Sequence, residues 1–457
     1  MDLETMKKII KQNSRVFNKM IRSSEVAERY YRKENDILKG FKQYSECGSP
    51  LRNADNRIPS NFHNILVNQK AAYIFTVPPV FDVGGDRQNK KIADILGDKY
   101  AKVCKDLCIN ASNSSVAWLH CWIDEENNFK YAVVDSKQIF PIWGDDLEKK
   151  LLAVMRVYST IEDGEAYSIY EYWNDERCYS FRKKKRQSIL QLQEYERFYI
   201  PSLDETAYDS SNEFEHEFSE VPFIPFFNNN IGGNDLNSIK HLIDCYDKIY
   251  SGFINDLEDI QEIIFVLSGY GGQDLKGFLE SIKKYKVIKT DKDEDGDGKG
   301  DLETLSIDIP VEARKIGMEI TRKSIFEQGQ GIDPDPQNFG NSSGVALDHL
   351  YDLIELKSGL LEAEFREGFG KLIRFICNYL KFDVKSINQS WTRTSVHNDA
   401  DTVNNCKNSV GIVSNRTILK KHPLVDDVDR EMEQIREEEQ ERIDAYSTKE
   451  IPIEKEV

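Results

Sequence analysis

Residues 236–267 read LNSIKHLIDCYDKIYSGFINDLEDIQEIIFVL. Apolar side chains recur at Leu236, Ile239, Ile243, Tyr246, Tyr250, Phe253, Leu257, Ile260, Ile264 and Leu267, in steps that alternate between three and four. That alternation is a heptad seam. It predicts one helix from Asp235 to Ser268, closed by Gly269 and Gly271-Gly272. At 1.5 Å per residue such a helix is roughly 45–50 Å long. Its other positions carry Asp, Glu, Lys, Asn and Ser, so the seam needs a cover, from its own chain or from a neighbour. An ordinary bundle helix fits the same pattern.

On the C-terminal side lies DKDEDGDGKGD (291–301). A calcium loop of the EF-hand kind needs oxygen ligands at positions 1, 3 and 5, glycine at 6 and glutamate at 12. Asp291, Asp293, Asp295 and Gly296 satisfy the first part, but position 12 is Leu302; starting at Asp293 it is Thr304. YKVIK precedes the run, and Leu305, Ile307 and Ile309 alternate after it up to Pro310. The spacing predicts a β-hairpin over 285–309 with the acidic run at its tip. A metal site at Asp291, Asp293 and Asp295 is the alternative. Residues 311–330 form a second helix, with Arg314, Lys315, Arg322 and Lys323 placed to meet phosphate or to pair with glutamates such as Glu319. We favour pairing. GIDPDPQNFGNSSG (331–344) is a loop, and 345–382 a long helix with Gly359, Gly368 and Gly370 as bends or close packing points. The sequence then runs through the strand-like SINQSWTRTSV to a charged helical tail.

On the N-terminal side the period is different. Residues 115–227 hold short aromatic and β-branched runs separated by DEENN, WGDD and EDGE, which predicts an antiparallel β region. RKKKR (182–186) within it reads as a solvated strand end, with a nucleic-acid patch as the rival. Phe62, Ile65, Leu66, Gln69, Ala72 and Tyr73 make a helical stripe ended by Pro78-Pro79, residues 89–111 a further amphipathic helix, and 1–45 a polar helical start.

The chain has 457 residues, enough for two to four compact units, and a formal net charge of −18. That balance argues against a protein that coats nucleic acid, though not against one that sits near it without sticking. No apolar run is long enough to span a membrane, and the N-terminus lacks a secretory core. Eight dispersed cysteines without a CxxC pair fit a reduced intracellular chain. The seven histidines form no cluster, and no GxSxG, GxxxxGK[ST] or HExxH motif occurs. Neither catalysis nor a cofactor is expected.

Four stretches, taken in order, resemble the portal proteins of tailed bacteriophages of the siphophage type. They are NRIPSNFHNILVNQKAAYIFTVPPVF, EVPFIPFFNNN with DLNSIKHLIDCYDKIYSGFINDLEDI, FGNSSGVALDHLYDLIELKSGLLEAEFREGF, and GIVSNRTILKKHPLVDDVDREMEQIREEE. The resemblance implies an α+β, mainly helical fold with long stem helices, a β-rich wing, a β-hairpin clip and a helical crown, assembled as a cyclic ring. It divides the chain into an N-terminal helical segment (1–55), wing (56–230), first stem helix (231–268) and clip (269–310). A second stem helix (311–330), tunnel loop (331–344), long bent helix with wing return (345–398) and crown (399–457) follow.

The same resemblance implies a function. The ring, commonly of twelve subunits, would be the channel at one capsid vertex through which double-stranded DNA is packaged and ejected. Asp335, Gln337, Asn338, Phe339, Gly340 and Asn341 would neighbour the DNA. Asp291, Asp293, Asp295, Asp297 and Lys299 would face docking partners. Those partners would be the terminase large subunit, head-completion or adaptor proteins, scaffold and the major capsid protein, with no membrane involved. The protein would reside in the virion, and in the host cytoplasm during assembly. A calcium-dependent structural or interaction protein using 291–301 is the alternative.

Overall fold

The structure is a computed structural model that describes residues 1–40, 54–201, 208–259, 264–267, 302–305, 310–335, 344–393, 399–425 and 428–447. It divides into two compact units. One comprises Met1–Asp333 with Leu353–Arg393, the other Pro334–Asp352 with Thr394–Val457.

The first unit opens with helix α1 (Leu3–Tyr31), capped by Asp2, whose carboxylate accepts the Thr5 N–H at 2.7 Å. Met6, Ile10 and Phe17 lie on one face of α1 and pack on Phe140, Met155 and Phe181 of a sheet. Helices α2 (Phe62–Phe75), α3 (Asp86–Leu96) and α4 (Tyr100–Ser114) follow, with the short strand β1 (Val80–Asp82) between the first two. The expected stripe on α2 is too narrow. Phe62, Leu66, Val67, Ala71, Ile74 and Phe75 are all buried, whereas Ala72 is exposed, because neighbouring helices enclose α2 on several sides.

The β region is two sheets. β2 (Val116–Ile123) lies between β3 (Phe129–Val134) and β12 (Phe223–Phe227). The larger sheet runs in the order β11 (Glu213–Glu215), β7 (Arg177–Lys184), β6 (Glu165–Trp173), β5 (Leu151–Glu162), β4 (Ile139–Trp143), with β8 (Gln193–Glu194) also against β7. β9 (Phe198–Pro201) and β10 (Tyr208–Ser211) form a separate pair. EDGE is a two-residue turn between β5 and β6, with Asp163 and Gly164 both at positive φ, as a primed turn requires. Trp118, Val154, Trp173 and Phe223 fill one core that draws on both sheets. His120 is clamped there, its ring stacked 4.2 Å from Phe223, and burial pushes its pKa down to about 4.

The heptad seam is only partly one helix. Asp235–Ser238 is a 3₁₀ turn, α5 runs from Lys240 to Asp259, and Ile264–Leu267 is a strand, β13. β13 pairs antiparallel with β14 (Leu302–Leu305), matching Ile264 to Leu305 and Leu267 to Leu302. The expected helix end at Ser268 is therefore wrong. A short β-branched and aromatic run such as IIFVL satisfies helical spacing while preferring a strand, and periodicity cannot separate the two. The outgoing strand of the expected hairpin exists, but here it pairs with β13. YKVIK and the acidic tip lie outside the described residues.

α6 (Val311–Gly329) packs on α5, and α7 (Gly344–Tyr379) continues through Gly359, Gly368 and Gly370. At Gly368 a Cβ would stand 2.6 Å from the Phe226 ring, so this glycine is a close packing point. Phe226 in turn meets Phe365 and Phe369 of α7 at 5.1 and 5.0 Å between ring centres. Of SINQSWTRTSV only Asn388–Ser390 (β15) is a strand among the described residues, antiparallel to β1. The second unit carries α8 (Asp399–Asn408), α9 (Asn415–Leu419), capped by Ser414, and the charged helix α10 (Val428–Ser447). Six of the seven described cysteines are buried, and all seven are unpaired.

Two outcomes follow from this packing. Gly368→Ala forces the buried Phe226 ring aside, and we expect a loss of about 1–3 kcal/mol in denaturant unfolding, as for overpacked cores. His63 is buried like His120, and its pKa is likewise pushed down to about 4. Both fold as neutral rings, so their contribution is complete above the ordinary histidine pKa of about 6.5. It declines as pH falls from there towards 4. A melting temperature that is flat between pH 6.5 and 4 would contradict this.

Candidate functional site

The described part of the expected loop begins where α6 ends, and its base is tied to three other elements. Gln330 adopts a left-handed conformation that stops α6, and Gly331 follows with no room for a Cβ, which would meet Leu66 Cδ2 at 2.1 Å. The Gln69 side chain of α2 then holds the backbone of Ile332 twice. Its Nε2 donates to the Ile332 carbonyl at 2.7 Å, and its Oε1 accepts the Ile332 N–H at 3.1 Å. Arg322 donates to Asp333 at 2.6 Å. Lys357 of α7 donates to the carbonyl of Gly329 at 2.9 Å.

Beneath this base sits a buried polar network. Lys70 of α2 is 1% exposed and donates to Asp235 at 2.6 Å and to Asn228 at 2.8 Å. Lys357 reaches the same Asp235 oxygen at 3.1 Å, and Asn228 Nδ2 donates to the other at 2.8 Å. Burial alone would raise the Asp235 carboxyl, yet the two lysines hold it far below the carboxylate range. Burial depresses the Lys357 ammonium, with Asp235 acting against that depression. The network thus joins α2, the turn that opens α5, the end of α6, and α7. Sequence reasoning passed over Lys70, Asp235 and Lys357; a lone lysine inside the apolar run ILVNQKAAYIF is the signal that was there.

The polar face of α5 is also partly covered by its own chain. Asp247 is buried and accepts from Asn35 at 2.6 Å and from the Ser60 N–H at 2.8 Å, and Ser251 accepts the Ile58 N–H at 3.0 Å. The apolar face, Leu236, Ile239 and Ile243, joins Ile325 and Phe326 of α6 with Phe62 and Leu66 of α2.

The α6 cations are occupied. Arg314 pairs with Asp256 of α5, and Arg322 with Asp333. Lys315 lies 4.0 Å from Glu319 and Lys323 3.8 Å from Glu327, both exposed. RKKKR ends β7 and the turn after it, with Arg182 paired to Glu162 and Lys184 to Glu165. Asp335 is half-buried at the end of the described loop. Gln337, Asn338, Phe339, Gly340, Asn341, Asp291, Asp293, Asp295, Asp297 and Lys299 lie outside the described residues. Among the described residues no three His, Cys, Asp or Glu gather as a metal group. A cavity of about 770 Å³ near the sheets is lined in part by Glu171, which is committed to Arg197 at 2.7 Å, Tyr158 at 2.9 Å and Trp173 Nε1 at 3.1 Å.

The network makes a sharp prediction. Asp235→Asn leaves two buried ammonium groups without a counter-charge, and we expect a loss of about 3–5 kcal/mol in unfolding experiments. In the native chain this contribution is present above the ordinary carboxylate range of about pH 4 and is lost as acid protonates Asp235. A near-neutral Asp235→Asn would show that the carboxylate is dispensable.

The sequence aligns with known proteins along almost its whole length. The family described as phage portal protein, SPP1 Gp6-like, matches residues 15–445. The portal protein of Clostridium phage phiCD119 is 42% identical over 446 residues, covering 94% of each chain. That of Bacillus phage SPP1 is 28% identical over 433 residues, covering 90% of this chain and 82% of its own. Among solved structures, a chain from the neck of an empty gene transfer agent particle aligns with TM-score 0.43 at 12% identity, over 78% of this chain and 88% of that one. Nothing in these relatives supports the calcium-dependent alternative. On the strength of the sequence match, the chain belongs to the SPP1 Gp6-like family of phage portal proteins.

Proposed function

We propose that copies of this chain close into a ring at a capsid vertex, around a channel through which double-stranded DNA is packaged and later ejected. The observation that carries this reading is the family match across residues 15–445. On this reading α5 and α6 are the stem helices. Residues 269–310 form the clip that meets the terminase large subunit and then head-completion proteins. The loop after Gly331 faces the channel, with Gln337, Asn338, Phe339 and Asn341 nearest the DNA. Residues 56–230 form the wing, which together with scaffold and the major capsid protein seats the ring, and 399–457 the crown. The protein works as part of the virion, after assembly in the host cytoplasm, and performs no catalysis of its own.

Physical features support the ring. Ile316 and Ile320 sit one turn apart on α6 at 45% and 61% exposure, and Leu356 and Leu360 do the same on α7 at 61% and 62%. Such paired apolar positions on long helices suit a heterologous, ring-closing contact. A net charge of −18 suits a wall past which DNA slides without being held. The tied base of the loop gives a fixed mount for a segment that meets the moving duplex.

Negative-stain microscopy with native mass measurement tests the proposal. We expect closed rings of about a dozen subunits with a duplex-wide hole. Ile316→Asp with Ile320→Asp should leave the subunit folded and abolish the rings, since each buried isoleucine contributes about 1.5–3 kcal/mol per contact. A wild-type chain that stays monomeric at high concentration and in the presence of scaffold would overturn the reading.

A further inference from the structure

In a chain with 79 acidic and 61 basic residues, positions 5–24 contain six basic residues and no acidic one. Five of the six, Lys8, Lys11, Arg15, Lys19 and Arg22, are exposed on α1. At about 100° per residue they fall within an arc of roughly 80°, and they span about 21 Å of helix. The buried face of α1, with Met6, Ser24 and Ala27, lies opposite. Among the described residues none of the five takes part in an ion pair; those on and beside α1 are Lys7–Glu4, Arg29–Asp36, Arg32–Glu28 and Lys137–Glu28.

The arrangement is costly for a helix on its own. Lys7–Lys11, Lys11–Arg15 and Arg15–Lys19 are like charges four residues apart, which weakens a helix where Glu–Lys pairs would strengthen it. A local rule broken without compensation inside the subunit points to compensation from outside. The missing partner is a polyanion. Acidic protein surfaces dock through apolar or aromatic anchors and deplete lysine from the contact centre. The stripe itself, Lys8, Lys11, Arg15, Lys19 and Arg22, has none, and the exposed Val16 of α1 lies roughly 60° beyond its edge. A row of phosphates needs no apolar anchor.

We propose that the exposed face of α1 binds the phosphate backbone of double-stranded DNA without reading its sequence, through Lys8, Lys11, Arg15, Lys19 and Arg22. The choice of duplex DNA as occupant rests on the portal reading; the presence of a polyanion site does not. α1 holds DNA, whereas the acidic remainder of the chain repels it.

Fluorescence anisotropy of the full chain with a labelled 30-base-pair duplex, across a potassium chloride series, tests this. Five phosphate contacts give a slope of log affinity on log salt of about −4.5. The variant K8Q/K11Q/R15Q/K19Q/R22Q should lose most of that slope and bind at least tenfold more weakly at low salt. Should it misfold by circular dichroism, R15Q/K19Q/R22Q replaces it, with a loss of about 2.7 expected. The control K184Q/K185Q/R186Q removes comparable charge at the end of β7 and should change the slope little. An unchanged slope in the α1 variant, or an equal loss in the control, would overturn the proposal. Displacement of duplex by polyglutamate as readily as by unlabelled duplex would assign the stripe to an acidic protein and overturn it too. Native mass on the same samples separates the two readings. Stripe-dependent binding by a chain that forms no rings even at high concentration and with scaffold would sink the portal reading and leave this one standing.

Discussion

Lys70 and Lys357 come from helices far apart in sequence and meet at a single carboxylate, Asp235, in the interior of the first unit. Burying three charges is expensive, and further hydrogen bonds offset part of that cost, from Lys70 to Asn228, from Asn228 to Asp235 and from Lys357 to the Gly329 carbonyl. Geometry is what this interaction supplies. An apolar contact in the same place would tolerate sliding by a fraction of a turn, while two ammonium groups on one carboxylate do not. The turn that opens α5, the end of α6, the middle of α7 and the whole of α2 are thereby fixed to one another. The core of Phe62, Leu66, Ile239, Ile325 and Phe326 packs around the elements so fixed.

Much of this was legible in the sequence, for physical reasons that differ by element. The hairpin at EDGE was readable because a primed turn demands positive φ and Asp-Gly supplies it. The seam from Ile239 onward called for a cover without saying whose, and α6 supplies part of it. The seam also misled: IIFVL keeps the helical spacing by accident, and only pairing with a strand some forty residues later reveals its conformation. Lys70 was invisible for another reason. Its role depends on Asp235 and Lys357, 165 and 287 positions away, and no local pattern encodes such a meeting. Of the expected DNA-facing residues, Asp335 alone falls where the structure speaks.

The electrostatics of the chain are divided, not uniform. The cations on α6 are matched within the subunit, by Asp256, Glu319, Asp333 and Glu327, so that helix carries little unpaired positive charge. The cations along one face of α1 have no ion-pair partner among the described residues. An acidic total therefore conceals one basic edge, and a net-charge argument taken alone would have dismissed it.

The clamp of Gln69 on Ile332 is read through peptide groups, since the amide side chain touches the N–H and carbonyl of that residue. Every amino acid except proline presents the same two groups. The side chain at 332 is thus free of this duty, whereas Gly331 before it is dictated by Leu66 and Asp333 after it is held by Arg322. Natural variation or grafting can rewrite the segment beyond without disturbing how it is moored. The mount and the segment it carries are separable in kind, one fixed by peptide groups and the other open to any side chain.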